Sequence, residues 1–173
     1  VASLTLAGLI GAASSFLFWL VAARRAEIEI VGRATTVVLV GSAINAVTSF
    51  GFTIGLLRAK SRAELGISTV ASAMLLSLLG SVLLSAVVGG LWPSDSLITH
   101  ETSRIALTVE LAALSGGLAI SILIDTLASS YGVVRLPLVR NIVVLIVRLA
   151  AVFVFHRLTV GSLVSIFMLP LVA

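Results

Sequence analysis

Apolar stretches of about 20 residues, the length that crosses roughly 30 Å of hydrocarbon as a helix, alternate along this chain with short polar clusters. The first covers residues 1–23, where Phe16, Phe18 and Trp19 are rings suited to a membrane interface, and Arg24 and Arg25 close it. Further spans are expected over 34–57, 65–91, 105–124, 141–156 and 158–173. The third is long enough that tilt or a frayed end is expected. Between the first two, Glu27-Ile28-Glu29-Ile30 alternates charge with apolar residues, which fits a short segment lying at the interface. A polar loop follows the third span and carries Pro93, Asp95, His100 and Glu101. A mixed segment over 126–140 holds Tyr131, Gly132, Arg135 and Pro137, and Pro170 is expected to kink or break the last span. This periodicity predicts an all-α fold, a polytopic transmembrane bundle of about five to six spans. With no internal repeat and no long linker, residues 1–173 read as a single bundle.

Small residues indicate how these helices meet. Ala73, Ser77, Ser81, Ser85 and Gly89 recur at every fourth position, a stripe that lets another helix approach closely where lipid supplies no hydrophobic drive. Packing is the favoured reading, and the wall of a polar lumen is the alternative. Gly41, Asn45 and Ser49 share that spacing in the second span. An asparagine at that depth needs a partner, so Asn45 is either helix glue or a cavity ligand.

Composition excludes a soluble surface. Hydrophobic residues make up 60% of the 173, charged residues only 10%, and the mean hydropathy is +1.26; a soluble domain carries about a quarter charged residues. The isoelectric point near 11.1 invites a nucleic-acid reading, but the basic residues sit in small groups between apolar spans and form no stripe. They read as membrane-flanking charges, and no nucleic-acid partner is expected. The chain has no cysteine, and its two histidines are far apart, so neither a disulfide framework nor a metal-ligand cluster is expected. If the loops alternate sides, Arg58, Lys60, Arg62, Arg135 and Arg140 oppose Arg24, Arg25, Arg33, Arg104 and Arg157. Charge counting therefore ties, and the tight Arg58-Lys60-Arg62 cluster weakly favours a cytoplasmic amino terminus.

The acidic residues are scattered, and no phosphate loop, nucleophile elbow or HExxH motif is present, so neither an enzyme nor a cofactor is expected. Arg148 is the leading candidate for function. It lies about seven residues into the fifth span, near the middle of the membrane, where an arginine costs about 2.5–3.5 kcal/mol unless it faces a cavity, a carboxylate or the bundle interior. Its structural alternatives are an ion pair with Glu110 and snorkelling to the interface. Glu110 is expected to reach the interface. Asp125 is expected to close the fourth span and to clamp onto Arg140 or Arg135, and His100 and His156 read as solvated or interface-tethered.

These residues together resemble the polysaccharide and oligosaccharide flippases of the multidrug/oligosaccharidyl-lipid/polysaccharide exporter superfamily. The likeness rests on Phe16-Leu17-Phe18-Trp19 leading to Arg24-Arg25, and on Gly32 followed by a span ending in Phe50-Gly51-Phe52-Thr53-Ile54-Gly55-Leu56-Leu57-Arg58. It continues with Ile122-Leu123-Ile124-Asp125 and with Arg140-Asn141 leading to Arg148, and it covers nearly all of the chain. The resemblance implies a two-lobed bundle of which this chain supplies the first lobe, amino terminus in the cytoplasm, completed by a second lobe of the same chain or by another membrane subunit. It also implies a cationic cavity for the pyrophosphate and sugar of a polyprenyl-linked saccharide, with Arg148 as the cavity cation and Arg140 and Asn45 as further substrate contacts. Its apolar surface would face membrane lipids. A drug or small-metabolite exporter of the same superfamily, with Glu110 as its one plausible coupling carboxylate, and a non-transporting scaffold are the competing readings.

Overall fold

The computed structural model describes residues 2–49, 51–61, 66–91, 104–133, 135–155 and 158–172, and all seven of its regular elements are α-helices: α1 (Ala2–Arg25), α2 (Ile28–Ser49), α3 (Phe52–Ser61), α4 (Ile67–Leu91), α5 (Arg104–Ser130), α6 (Arg135–Val154) and α7 (Val160–Val172). The expected all-α bundle is what the chain forms. Four segments, Ile28–Leu56, Ile67–Leu91, Arg104–Ala128 and Arg135–Val154, are long and apolar enough to cross a membrane. α1 adds 24 residues with no charge before Arg24, and α7, at 13 residues, is shorter than a crossing.

Local chemistry sets the helix ends. At the end of α5, Gly132 takes a φ of 78°, and the Val133 amide reaches back to the Ala128 carbonyl at 2.9 Å, the six-to-one bond of a Schellman cap. At the start of α7, the Ser162 amide donates to Thr159 Oγ1 at 3.2 Å and the Thr159 amide donates to Ser162 Oγ at 2.7 Å, a reciprocal capping box. Glu29 stands in the first turn of α2, where a carboxylate complements the helix dipole, and it pairs with Arg33 one turn on.

These ends shift several expected boundaries. Ile28-Glu29-Ile30 does not form a connection separate from the second span: α2 starts at Ile28, because an acidic first turn and an ion pair one turn on favour helix at once. The second span is interrupted near Gly51, where α2 gives way to α3. Asp125 does not close a span, since α5 continues to Ser130. α6 begins at Arg135, with Pro137 in its first turn, where a missing N–H costs little. α7 continues through position 170 to Val172. The loop carrying Pro93, Asp95, His100 and Glu101 lies outside the described residues, as do Arg62, His156 and Arg157; the side chains of Lys60 and Pro170 lie outside them too.

The chain divides into two compact units, one formed by residues 1–35 and 127–173 and the other by 36–126. In the second unit, α4 buries Ala73, Ser77, Ser81, Ser85 and Gly89. Its Leu83 and Val87 are 67% and 54% exposed while the three serines are fully covered. Polar side chains inward and leucine outward invert the soluble pattern, and this arrangement is stable where the surrounding medium is itself apolar. The chain is thus a helical membrane protein. A buried row at every fourth position follows the i±4 ridge, which lets a neighbouring helix lie close against it. Hence a Cβ on Gly89 would sit 3.2 Å from Thr108 Cβ, and one on Gly116 would sit 3.0 Å from Leu78 Cδ2. Thr48 and Ser81 share a hydroxyl contact at 3.2 Å, and Ser85 and Ser115 one at 3.4 Å. Beneath them, Leu56, Ala73 and Leu123 form an apolar cluster with Phe52, Val70 and Met74 against it. The favoured reading of the stripe, packing, is what these contacts display.

In the first unit, α1 and α6 run parallel: Gly11 meets Asn141 in their first halves, and Arg25 meets the carbonyls of Val152 and Phe153 at their ends. α7 returns antiparallel, bringing Phe167 back to Arg148.

Candidate functional site

α6 carries Arg148 on its inward row with Val144 and Val152, all at four-residue spacing and all buried. The guanidinium is 4% exposed. Its Nη2 donates to the Phe167 carbonyl at 2.9 Å, and its carbon lies 3.9 Å from the centre of the Phe167 ring. That ring in turn stacks on Trp19 at 6.0 Å and tilts against Phe18 at 5.8 Å, while Phe18 and Trp19 meet edge to face at 4.9 Å. The cation is held by a carbonyl and an aromatic face, two partners that carry no net negative charge. Nε is buried and finds no hydrogen-bond partner among the described residues. Within its own unit the acidic residues are Glu27 and Glu29, both exposed near the start of α2, and Arg148 pairs with neither.

Because α6 starts at Arg135, Arg148 lies about 20 Å along it and about 9 Å from its end, deeper than the headgroups but off the helix centre. Snorkelling does not describe this side chain, whose head is covered by Phe167. Phe18 and Trp19 also differ from the interfacial role expected of them: Phe18 is fully buried and Trp19 half-buried, because a helix turns 200° between Phe16 and Phe18 and only Phe16, 68% exposed, points outward.

Arg140 precedes Arg148 by two turns on α6 and is half-buried; Arg135 is exposed. Asp125 is half-buried on α5, and neither it nor Arg140 stands free of partners. Asn45 belongs to the other unit. It is 6% exposed, and its Oδ1 meets no hydrogen-bond partner among the described residues, while its backbone carbonyl accepts from Ser49 at 2.7 Å. Glu110 is half-buried on α5.

Sequence reasoning missed Phe167 and the Arg25–Phe153 contact, in which the Arg25 guanidinium lies 4.4 Å from the ring centre. Neither had a local signal, since both join helices that are distant along the chain. Among the described residues no group of three histidine, cysteine or acidic side chains is placed to hold a metal ion. No family model, curated protein or solved structure matches this chain.

Proposed function

We propose that this chain forms part of a membrane transporter that moves an anionic amphiphile across the cell membrane, and that the cargo is a polyprenyl-linked oligosaccharide or polysaccharide precursor. The observation that carries this reading is Arg148, a buried guanidinium on an apolar helix whose described partners are a neutral carbonyl and a ring. A cation that is not neutralised by a carboxylate of its own unit retains its attraction for an anion, and its planar fork suits phosphate oxygens. The flippase resemblance supports the cargo class, and implies a second lobe or another membrane subunit.

A specific observation favours the scaffold reading as well: the Phe167 contact gives Arg148 a structural role between α6 and α7. One experiment separates the two. The gene is deleted, polyprenyl-linked saccharides are measured in each membrane leaflet, and the strain is complemented with wild type or Arg148→Leu. Accumulation on the cytoplasmic side that only wild type relieves, with both proteins present at equal level in the membrane, is the expected result. Unchanged leaflet distribution in the deletion strain defeats the transport reading, and rescue by Arg148→Leu leaves the arginine purely structural.

A further inference from the structure

A second arginine of the first unit is built into the surface. Arg25 ends α1, where the uncharged run stops, so it lies at the level of the lipid headgroups. Its side chain crosses to the end of α6, where Nη1 donates to the carbonyls of Val152 and Phe153 at 3.3 and 3.4 Å and the guanidinium covers the Phe153 ring. Beside it opens a cleft of about 350 Å³ lined by Arg25, Phe153, Phe155 and Leu158. Only Nη1 is engaged by the described residues, which leaves Nε and Nη2 with donors to offer. The cleft presents more polar than apolar surface, and the rings of Phe153 and Phe155 at its edge are exposed.

A cation with unused donors, held in place by a ring and two carbonyls, beside two exposed rings at headgroup depth matches one kind of occupant. The geometry points to a site for the headgroup phosphate of an anionic phospholipid, its oxygens on Arg25 and its glycerol and upper acyl chain against Phe153, Phe155 and Leu158. A free phosphate ion would use the guanidinium but gain nothing from the exposed rings of Phe153 and Phe155, so the lipid is the favoured source of the phosphate. Charge supports it: the first unit holds seven arginines and two glutamates. This inference rests on the chain lying in a membrane and is independent of what it transports.

The test uses the whole chain in phosphatidylcholine vesicles containing phosphatidylglycerol with brominated chains. A Trp92→Phe background leaves Trp19 as the reporter, about 9 Å along α1 from Arg25. Quenching of Trp19 is expected to show roughly fivefold preference for the anionic lipid, the scale set by one basic group at the surface. Arg25→Gln should bring the ratio close to one, Arg24→Gln should keep most of it, and Phe155→Ala, which leaves Arg25 and its carbonyl contacts in place, should lower it. An unchanged ratio in Arg25→Gln or in Phe155→Ala overturns the site. So does an equal loss in Arg24→Gln, which would mean diffuse charge, and so does abolition of the preference by inorganic phosphate, which would make the free ion the ligand.

Discussion

The two units of this chain solve the same packing problem with opposite materials. The second unit brings its helices close with small side chains: Gly41, Ser81, Ser85, Gly89 and Ser115 are all buried, and Leu75, Leu76, Leu79 and Leu83 of α4 face outward. The first closes around large ones, with Phe18, Trp19 and Phe167 gathered about Arg148. Charge divides the same way: four basic and five acidic residues fall in the second unit, against the strong arginine excess of the first. In lipid, association depends on contact quality rather than on expelling water, and both a close backbone approach and interlocked rings provide it. The lesson is that one unit fails when a side chain is enlarged and the other when one is cut back.

The largest effect is expected from Gly89→Leu. A Cβ there already comes within 3.2 Å of Thr108 Cβ and 3.4 Å of its Cα, so a full side chain forces α4 and α5 apart at a cost of about 3 kcal/mol or more. Gly90→Leu, one residue on, meets nothing within 4 Å and should change little. Thermal unfolding in detergent checks the pair, and equal loss in both would remove the close-approach account.

Phe18→Ala in the first unit is expected to cost about 3 kcal/mol, because the ring is fully buried and contacts two others. Phe16→Ala, at an exposed position of the same helix, should cost well under 1 kcal/mol. The same melts in detergent report both.

Arg148→Met is expected to leave stability within about 1 kcal/mol of wild type, since an apolar chain of similar length trades one hydrogen bond for relief from burying a charge. If transport is lost while the melting temperature holds, the guanidinium serves cargo; a fall of several kcal/mol would make it a keystone of α6 and α7 instead.

Asn45→Leu is expected to be neutral or to stabilise by about 1 kcal/mol, because the buried Oδ1 has no described partner to lose. Destabilisation in unfolding titrations would restore the amide as glue. The smallest change belongs to Ser85→Ala, expected to cost about 0.5 kcal/mol, given a 3.4 Å contact with Ser115.

Much of the second unit was legible in advance. The stripe from Ala73 to Gly89 is a local pattern: residues four apart share a helix face, so the spacing itself states which side another helix must touch. The first unit was not legible in that way. Phe18 and Trp19 carry the same composition signal whether they lie at an interface or in a core, and only the return of α7 brings Phe167 over them. Boundaries slipped for a related reason: Asp125 and the Glu27–Ile30 segment were expected at ends because they are charged or mixed, yet a single carboxylate does not stop a helix whose backbone bonds continue.

The sequence by itself determined the class of molecule, the all-α fold, the run of membrane-length helices and the small-residue face of α4, because hydropathy and helical period are properties of neighbouring residues. Tertiary structure alone decided what Arg148 touches, that Asn45 Oδ1 finds no described partner, and that Arg25 caps α6 beside a cleft edged by Phe153 and Phe155. Those are contacts between helices far apart in the chain, and a linear pattern of apolar residues states that such helices pack without stating which side chains meet.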